Sequence, residues 1–343
     1  MPFRLKILLV VVTLLFSSLA CATLLGDSPV TELPALEPIL TEIPATEIPI
    51  TEIAATEAPA SCPVITDKIM KISTAEGEEN FADEETYLVT YAVSGDEISD
   101  PAYEKAPANL KDERDDSTTQ RQIWDYFTAL IPVEQRGVIG EYAIMTDGLG
   151  GTLAAVTQTF DDPNVWALEV DIADSGDVYS LTFTLIHEFG HLLTLGPAQV
   201  TPSIAVFNNP DDNGIYLDEV SKCPQYFPGE GCANADSYVN AYYDQFWTGF
   251  YEEWNAINLE EDEDLYYEKL DDFYYKYEDQ FVTGYAATNP EEDMAETWAF
   301  FVLSPKPAGD TIAEEKILFF YQYPELVQLR GQILGNLCAS FPE

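Results

Sequence analysis

Between residues 117 and 130, apolar side chains recur at Ile123, Trp124, Phe127 and Leu130, the three-and-four spacing of a helix with one buried face. Upstream, Tyr87, Val89 and Tyr91 alternate with polar neighbours through 85–93, which predicts a strand. Segments 140–146, 152–159 and 166–172 read as further strands separated by Gly- and Asp-rich turns, and together they imply a mixed sheet. The run 180–195 is a strongly apolar helix stopped by Gly196 and Pro197. Residues 197–240 look loop-rich. From 241 to 283, aromatics and acids alternate at helical spacing, as in Tyr242, Phe246, Phe250 and Trp254 and again in Tyr266, Phe273, Tyr277 and Phe281. Such stripes serve a core before they serve a substrate. Helices over 290–303, 311–321 and 324–334 complete the pattern, and the fold class it predicts is α+β.

The first sixty residues follow different rules. Arg4 and Lys6 precede an apolar run from Ile7 to Phe16 and small residues at Ser17, Ser18 and Ala20, the layout of an export signal over 1–21. The run falls short of the roughly 20 apolar residues a membrane span needs. Cys21 stands where bacterial lipoproteins carry their acylated cysteine, although Ser18 departs from the aliphatic residue usual three places earlier. Ordinary cleavage near Ala20 or Ala22 is the alternative. Segment 22–61 repeats a five-residue unit with Glu32, Glu37, Glu42, Glu47, Glu52 and Glu57. Prolines, like charges and isolated aliphatics cannot build a core, so it reads as an extended tether that holds the folded part, 62–343, at the cell surface. That is the one route to a membrane expected for this chain.

Charge and cysteines narrow the setting. Fifteen basic against 61 acidic residues leave a formal charge of −46, which excludes nucleic acid as a partner because phosphate binding needs basic side chains. Without Cys21 an even number of cysteines remains: Cys62, Cys223, Cys232 and Cys338. Of three possible pairings, Cys62–Cys338 ties the start of the folded part to its end, and Cys223–Cys232 closes a short loop containing Pro228, Gly229 and Gly231. These are the preferred pairs, and they place the chain in an oxidising compartment. The acid-rich turn Asp211-Asp212-Asn213-Gly214, with Asp218, reads as a solvated turn before it reads as a calcium loop.

The only two histidines, His187 and His191, fall in His187-Glu188-Phe189-Gly190-His191 within the predicted helix. Four residues advance a helix by slightly more than one turn, so both rings leave one face and can grip a single ion. Glu188 beside them can take a proton from a water activated there. Catalytic zinc needs three protein ligands, and with no third histidine the third must be a carboxylate. The best source is the segment 285–296, where Pro290 suits a first helical position and Glu292 and Glu296 lie four apart on one face. Glu292 also sits where it could cap the helix instead, leaving the ligand role to Glu296.

These residues resemble the HExxH-plus-glutamate zincins (gluzincin-type), and within them the peptidases like anthrax-toxin lethal factor. In that family an ExxxE helix follows the HExxH helix, preceded by a Thr-Asn pair, here Thr288-Asn289, and by a tyrosine seven residues before the first glutamate, here Tyr285. The resemblance covers two short stretches. It implies Zn2+ held by His187, His191 and Glu292, Glu296 behind them, and Tyr285 as donor to the developing oxyanion. It further implies a zincin-like fold: a sheet-containing lobe over 62–196 with an edge strand near 166–172 above the cleft, and a mostly helical lobe over 197–343. The expected activity is that of an exported, surface-tethered zinc metallopeptidase acting on a peptide or protein. Two rivals remain: a non-catalytic zinc-binding surface lipoprotein, and a hydrolase of non-peptide bonds that uses its abundant carboxylates.

Overall fold

The computed structural model describes residues 62–73, 85–260 and 262–341. The export segment 1–21 with Cys21, and the repeat linker 22–61, lie outside them. Helix α1 (Pro63–Ser73) opens the described part, followed by strands β1 (Thr86–Ser94) and β2 (Glu97–Tyr103). The short α2 (Lys111–Asp115) leads into α3 (Ser117–Leu130), whose first turn is capped by the Asp116 carboxylate accepting from the Thr119 amide at 3.1 Å. Its buried face carries the predicted Ile123, Trp124, Phe127 and Leu130. Strands β3 (Ile139–Thr146), β4 (Ala154–Gln158) and β5 (Trp166–Asp171) complete one mixed sheet of order β2-β1-β3-β5-β4. Only β3 and β5 run parallel.

The expected edge strand is misplaced by one position. β5, at 166–171, is interior, between β3 and β4, and buried at every residue. Its sequence alternates Trp166, Leu168 and Val170 with Ala167, Glu169 and Asp171, which reads as one wet face. The second face is nevertheless covered, because local donors satisfy its acids: Tyr87 and Thr157 donate to Glu169, and the amides of Asp147 and Ala173 to Asp171. The true edge is β4. Leu153 accepts from the Asp171 amide and the Thr159 amide donates to Val165, so the odd-numbered residues bond to β5. By antiparallel alternation, the main-chain groups of Ala154, Val156 and Gln158 point away from the sheet. They face α4 (Val178–Leu195), which packs beside this edge.

Helix α4 is capped by Asp177, accepting from the Tyr179 amide at 3.0 Å, and is buried on nearly all sides. The segment after it holds more order than a loop-rich reading predicts. A short hairpin pairs β6 (Val200–Pro202) with β7 (Gly231–Ala233) around α5 (Ile204–Phe207) and α6 (Asn213–Lys222). Asp212, from the acid-rich turn, caps α6 by accepting from the Gly214 and Ile215 amides.

Helices α7 (Tyr238–Phe246), α8 (Tyr251–Asn258), α9 (Glu263–Lys276), α10 (Pro290–Leu303), α11 (Ile312–Phe320) and α12 (Pro324–Ser340) follow. The aromatic stripes are core: Tyr242, Phe246, Phe250, Trp254, Phe273 and Phe281 are all buried. Helix α10 lies at the centre of this half. Its Asp293 meets Lys316 of α11 at 2.6 Å and the Trp247 indole at 2.8 Å, with both charged side chains fully buried. A pair this dry fixes the rotation of α10, since turning either partner away would strand a buried charge. One hydrophobic core runs from α1 to α12 across both halves.

Cys62–Cys338 and Cys223–Cys232 are both bonded, as preferred from the sequence. The two disulfides fit an oxidising, extracellular setting. Among the described residues no helix is long and apolar enough to cross a membrane. Cys62–Cys338 spans 276 residues and Cys223–Cys232 only 9. Loop-closure entropy assigns about 6 kcal/mol to the first and about 3 kcal/mol to the second. Calorimetry of Cys62→Ser/Cys338→Ser is therefore expected to show the larger fall in melting temperature, and Cys223→Ser/Cys232→Ser the smaller.

Candidate metal centre

The site forms where α4 and α10 come closest. A Cβ added at Gly190 would lie 3.0 Å from Trp298 Cδ1 and 3.2 Å from Ala295 Cα, so only glycine lets the helices approach this far without displacement. At that spacing the face of α4 bearing His187 and His191 meets the face of α10 bearing Glu292 and Glu296. Both histidines and Glu188 are buried.

His187 Nε2 lies 3.0 Å and His191 Nε2 3.3 Å from the same Glu292 Oε2, and the two Nε2 atoms are 3.2 Å apart. Ligand atoms about 2.0–2.1 Å from a tetrahedral ion are about 3.3–3.4 Å from one another. The triangle therefore has nearly the size a bound ion would impose. Its donors, two imidazole nitrogens and one carboxylate oxygen, suit a borderline transition metal. Thus His187, His191 and Glu292 could together hold a metal ion.

The two roles open to Glu292 are divided by geometry. Asn289, the residue before Pro290, caps α10 by accepting from the Glu292 amide at 2.7 Å. The Glu292 side chain itself faces both rings. Glu296, one turn on, stands behind: its Oε1 lies 3.0 Å from His187 Nδ1, and its Oε2 accepts from Thr283 Oγ1 at 2.7 Å. Such an outer carboxylate orients the ring and selects its tautomer. Thr283 in turn accepts from the Ala286 amide at 3.1 Å, in the 3-10 turn Tyr285–Ala287 that presents Tyr285. The Tyr285 ring centre is 6.0 Å from that of His187. Tyr285 keeps a largely exposed ring, while its hydroxyl end turns inward.

Electrostatics follow from burying three carboxylates beside two imidazoles. Burial disfavours the charged form of His187, yet the hydrogen bonds to Glu292 and Glu296 outweigh it and hold the ring protonated well above the usual histidine range. Glu292 goes the other way, held far below the carboxylate range by His191 and His187 in spite of burial. Glu188 is pushed up to about 7, chiefly by desolvation, while the Val156 amide from the free side of β4 pulls it back. Its Oε1 is 4.0 Å from His187 Nε2. Desolvation, then the charges of Glu292 and Glu188, push the Tyr285 hydroxyl well above its ordinary value, so it remains a proton donor.

Other side chains here had no sequence signal. Tyr226 donates to Glu291 Oε1 at 2.6 Å, and burial pushes Glu291 up to about 7. Burial, then the charge of Glu291, pushes Glu230 up to about 8. Both carboxyls interact electrostatically with His191, whose Nδ1 meets no hydrogen-bond partner among the described residues; nor does Glu230 Oε2. Glu291 is hidden in the run Pro290-Glu291-Glu292-Asp293, which reads as acids favoured at a helix N-terminus. Glu230 lies too far from either stretch in sequence for spacing to find it, and Thr283, just before Tyr285, belongs to no recurring pattern. Compared with known proteins, the chain matches no family model, no curated protein and no solved structure.

The Glu230 carboxyl binds its proton more tightly when folded, near pH 8, than at its ordinary value of 4.5. Its contribution to stability is therefore present below about pH 4.5 and is lost as pH rises through about 8. Glu230→Gln is expected to leave the melting temperature unchanged at pH 5 and to raise it by about 3 °C at pH 8.5, about 1 kcal/mol. Parallel scanning calorimetry at the two pH values checks this, and equal shifts at both would contradict it.

Proposed function

We propose that this protein is a zinc-dependent metallopeptidase of the HExxH-plus-glutamate type, exported and held at the cell surface through its N-terminal segment. The observation that carries the reading is the convergence of His187 Nε2, His191 Nε2 and Glu292 Oε2 within 3.3 Å, with the Glu188 carboxylate at 4.0 Å. Three protein donors leave the fourth tetrahedral direction to water or substrate, the arrangement of catalytic rather than structural zinc. When bound, zinc supplies Lewis acidity, polarising a carbonyl and acidifying a neighbouring water.

The chain's own residues account for the remaining chemistry. Glu188, whose carboxylate lies 4.0 Å from His187 Nε2, accepts the proton of the attacking water and delivers it to the leaving amine. Tyr285 keeps its hydroxyl proton and donates a hydrogen bond to the oxyanion as the carbonyl becomes tetrahedral. Glu296 and Thr283 hold His187 in one orientation through both steps. On either side of Val156, whose amide turns to Glu188, the outward main-chain groups of Ala154 and Gln158 offer an extended peptide pairing beside α4, which sets its direction across the site.

Purified protein loaded with zinc is expected to cleave members of a broad fluorogenic peptide library. Glu188→Gln should retain one zinc per chain by elemental analysis and lose at least about 1000-fold in kcat, and Tyr285→Phe should lose about 100-fold in kcat. Stoichiometric zinc in a wild-type protein that cleaves no peptide or protein substrate would sink the peptidase reading and favour a zinc-binding surface protein.

A further inference from the structure

A second group of acids lies at the far end of the parallel strand pair. There β3 and β5 finish side by side, with Met145 opposite Asp171. Asp147 follows β3, Asp171 ends β5, and Asp174 lies in the loop to α4; one carboxylate oxygen of each falls within 4.8 Å of the others. The chain after Asp147 folds back over them through Gly148, Gly150 and Gly151, all at positive φ. Its main chain then holds the carboxylates in place. The Thr152 amide donates to Asp147 Oδ2 at 3.0 Å, Gly150 to Asp174 at 3.0 Å, and Asp147 and Ala173 to the two oxygens of Asp171 at 2.8 and 2.6 Å.

Amides orient these groups without neutralising them. Among the described residues no lysine, arginine or histidine forms an ion pair with any of the three. Asp147 is only 6% exposed, and its Oδ1 is shut off from solvent with no donor facing it. Asp171 is fully buried. Desolvated carboxylates this close need a counter-charge, and the buried Asp147 Oδ1 is left without a hydrogen-bond donor.

We propose that Asp147, Asp171 and Asp174 form a second metal site, which takes calcium and pins the glycine loop after β3 to the loop that starts α4. The donor set is all oxygen, with no nitrogen or sulfur, which selects a hard cation over zinc. Carboxylates hung on an irregular loop suit the flexible geometry of calcium better than the strict octahedron of magnesium. The ion would brace both walls of the cleft. Helix α4 begins four residues after Asp174, and β4 begins two residues after Thr152.

The test is titration of calcium chloride into zinc-saturated protein by calorimetry, with melting temperature followed in parallel. One calcium per chain with a Kd of about 10⁻⁴ M is expected, with a rise of about 5 °C in melting temperature at 5 mM calcium and a smaller rise with magnesium. Asp147→Asn and Asp174→Asn should each weaken binding at least tenfold and remove most of the rise, while Glu292→Gln keeps both. In calcium-free buffer Asp147→Asn should melt no lower than wild type, because it removes an uncompensated buried charge. If it does not fold, the half-buried Asp174→Asn decides. Absence of calcium binding, binding that survives in the Asn variants as a diffuse property of the acidic surface, or binding lost in Glu292→Gln would each overturn the proposal.

Discussion

Two helices approach at Gly190 and Ala295 until a carboxylate of α10 touches both imidazoles of α4. Everything else in the site is arranged around that contact. It requires a residue without a side chain on α4, a small one on α10, and a rotation of α10 that presents Glu292 and Glu296 together. The rotation is set from the opposite side, where Asp293 is locked to Lys316 and Trp247. Successive residues of a helix lie about 100° apart, so Asp293 held toward α11 leaves Glu292 directed at α4.

The contact also concentrates charge. Glu188, Glu292 and Glu296 are brought beside two imidazoles, and no lysine or arginine is paired with any of the three among the described residues. Without an ion, the balance is kept by protons: His187 stays charged and Glu188 takes one up near neutrality. A dication would replace those protons, freeing Glu188 to act as a base. Binding of a metal ion here would therefore be coupled to release of protons. The acids around Asp147 present the same problem with oxygen alone, and the harder cation proposed for them follows from that difference.

The site was more legible in the sequence than the fold around it. His187, Glu188 and His191 share a helix, so their geometry follows from spacing, and Pro290 located the start of α10 closely enough to phase Glu292 and Glu296. The turn of the Glu292 side chain to both Nε2 atoms, with Glu296 left to His187 Nδ1, is a tertiary contact that spacing leaves open. In the fold, α3 carries clear apolar periodicity and α10 begins at Pro290, and both were read with their full bounds. β2 was missed because only Ile98 is buried, as befits an edge strand that contains Pro101. α1 was missed because its buried Ile65 and Ile69 make one short turn's worth of signal. β5 was expected at the edge because the resemblance implies an edge strand there, whereas the order of the sheet is set by its pairing with β4, which the sequence of β5 does not encode.

Crystals of the zinc-loaded protein, measured above and below the zinc absorption edge, show whether one ion sits between His187, His191 and Glu292. One strong anomalous peak is expected about 2.0–2.2 Å from His187 Nε2, His191 Nε2 and a Glu292 oxygen. No peak there, or a peak ligated by Glu296 in place of Glu292, would contradict this ligand set.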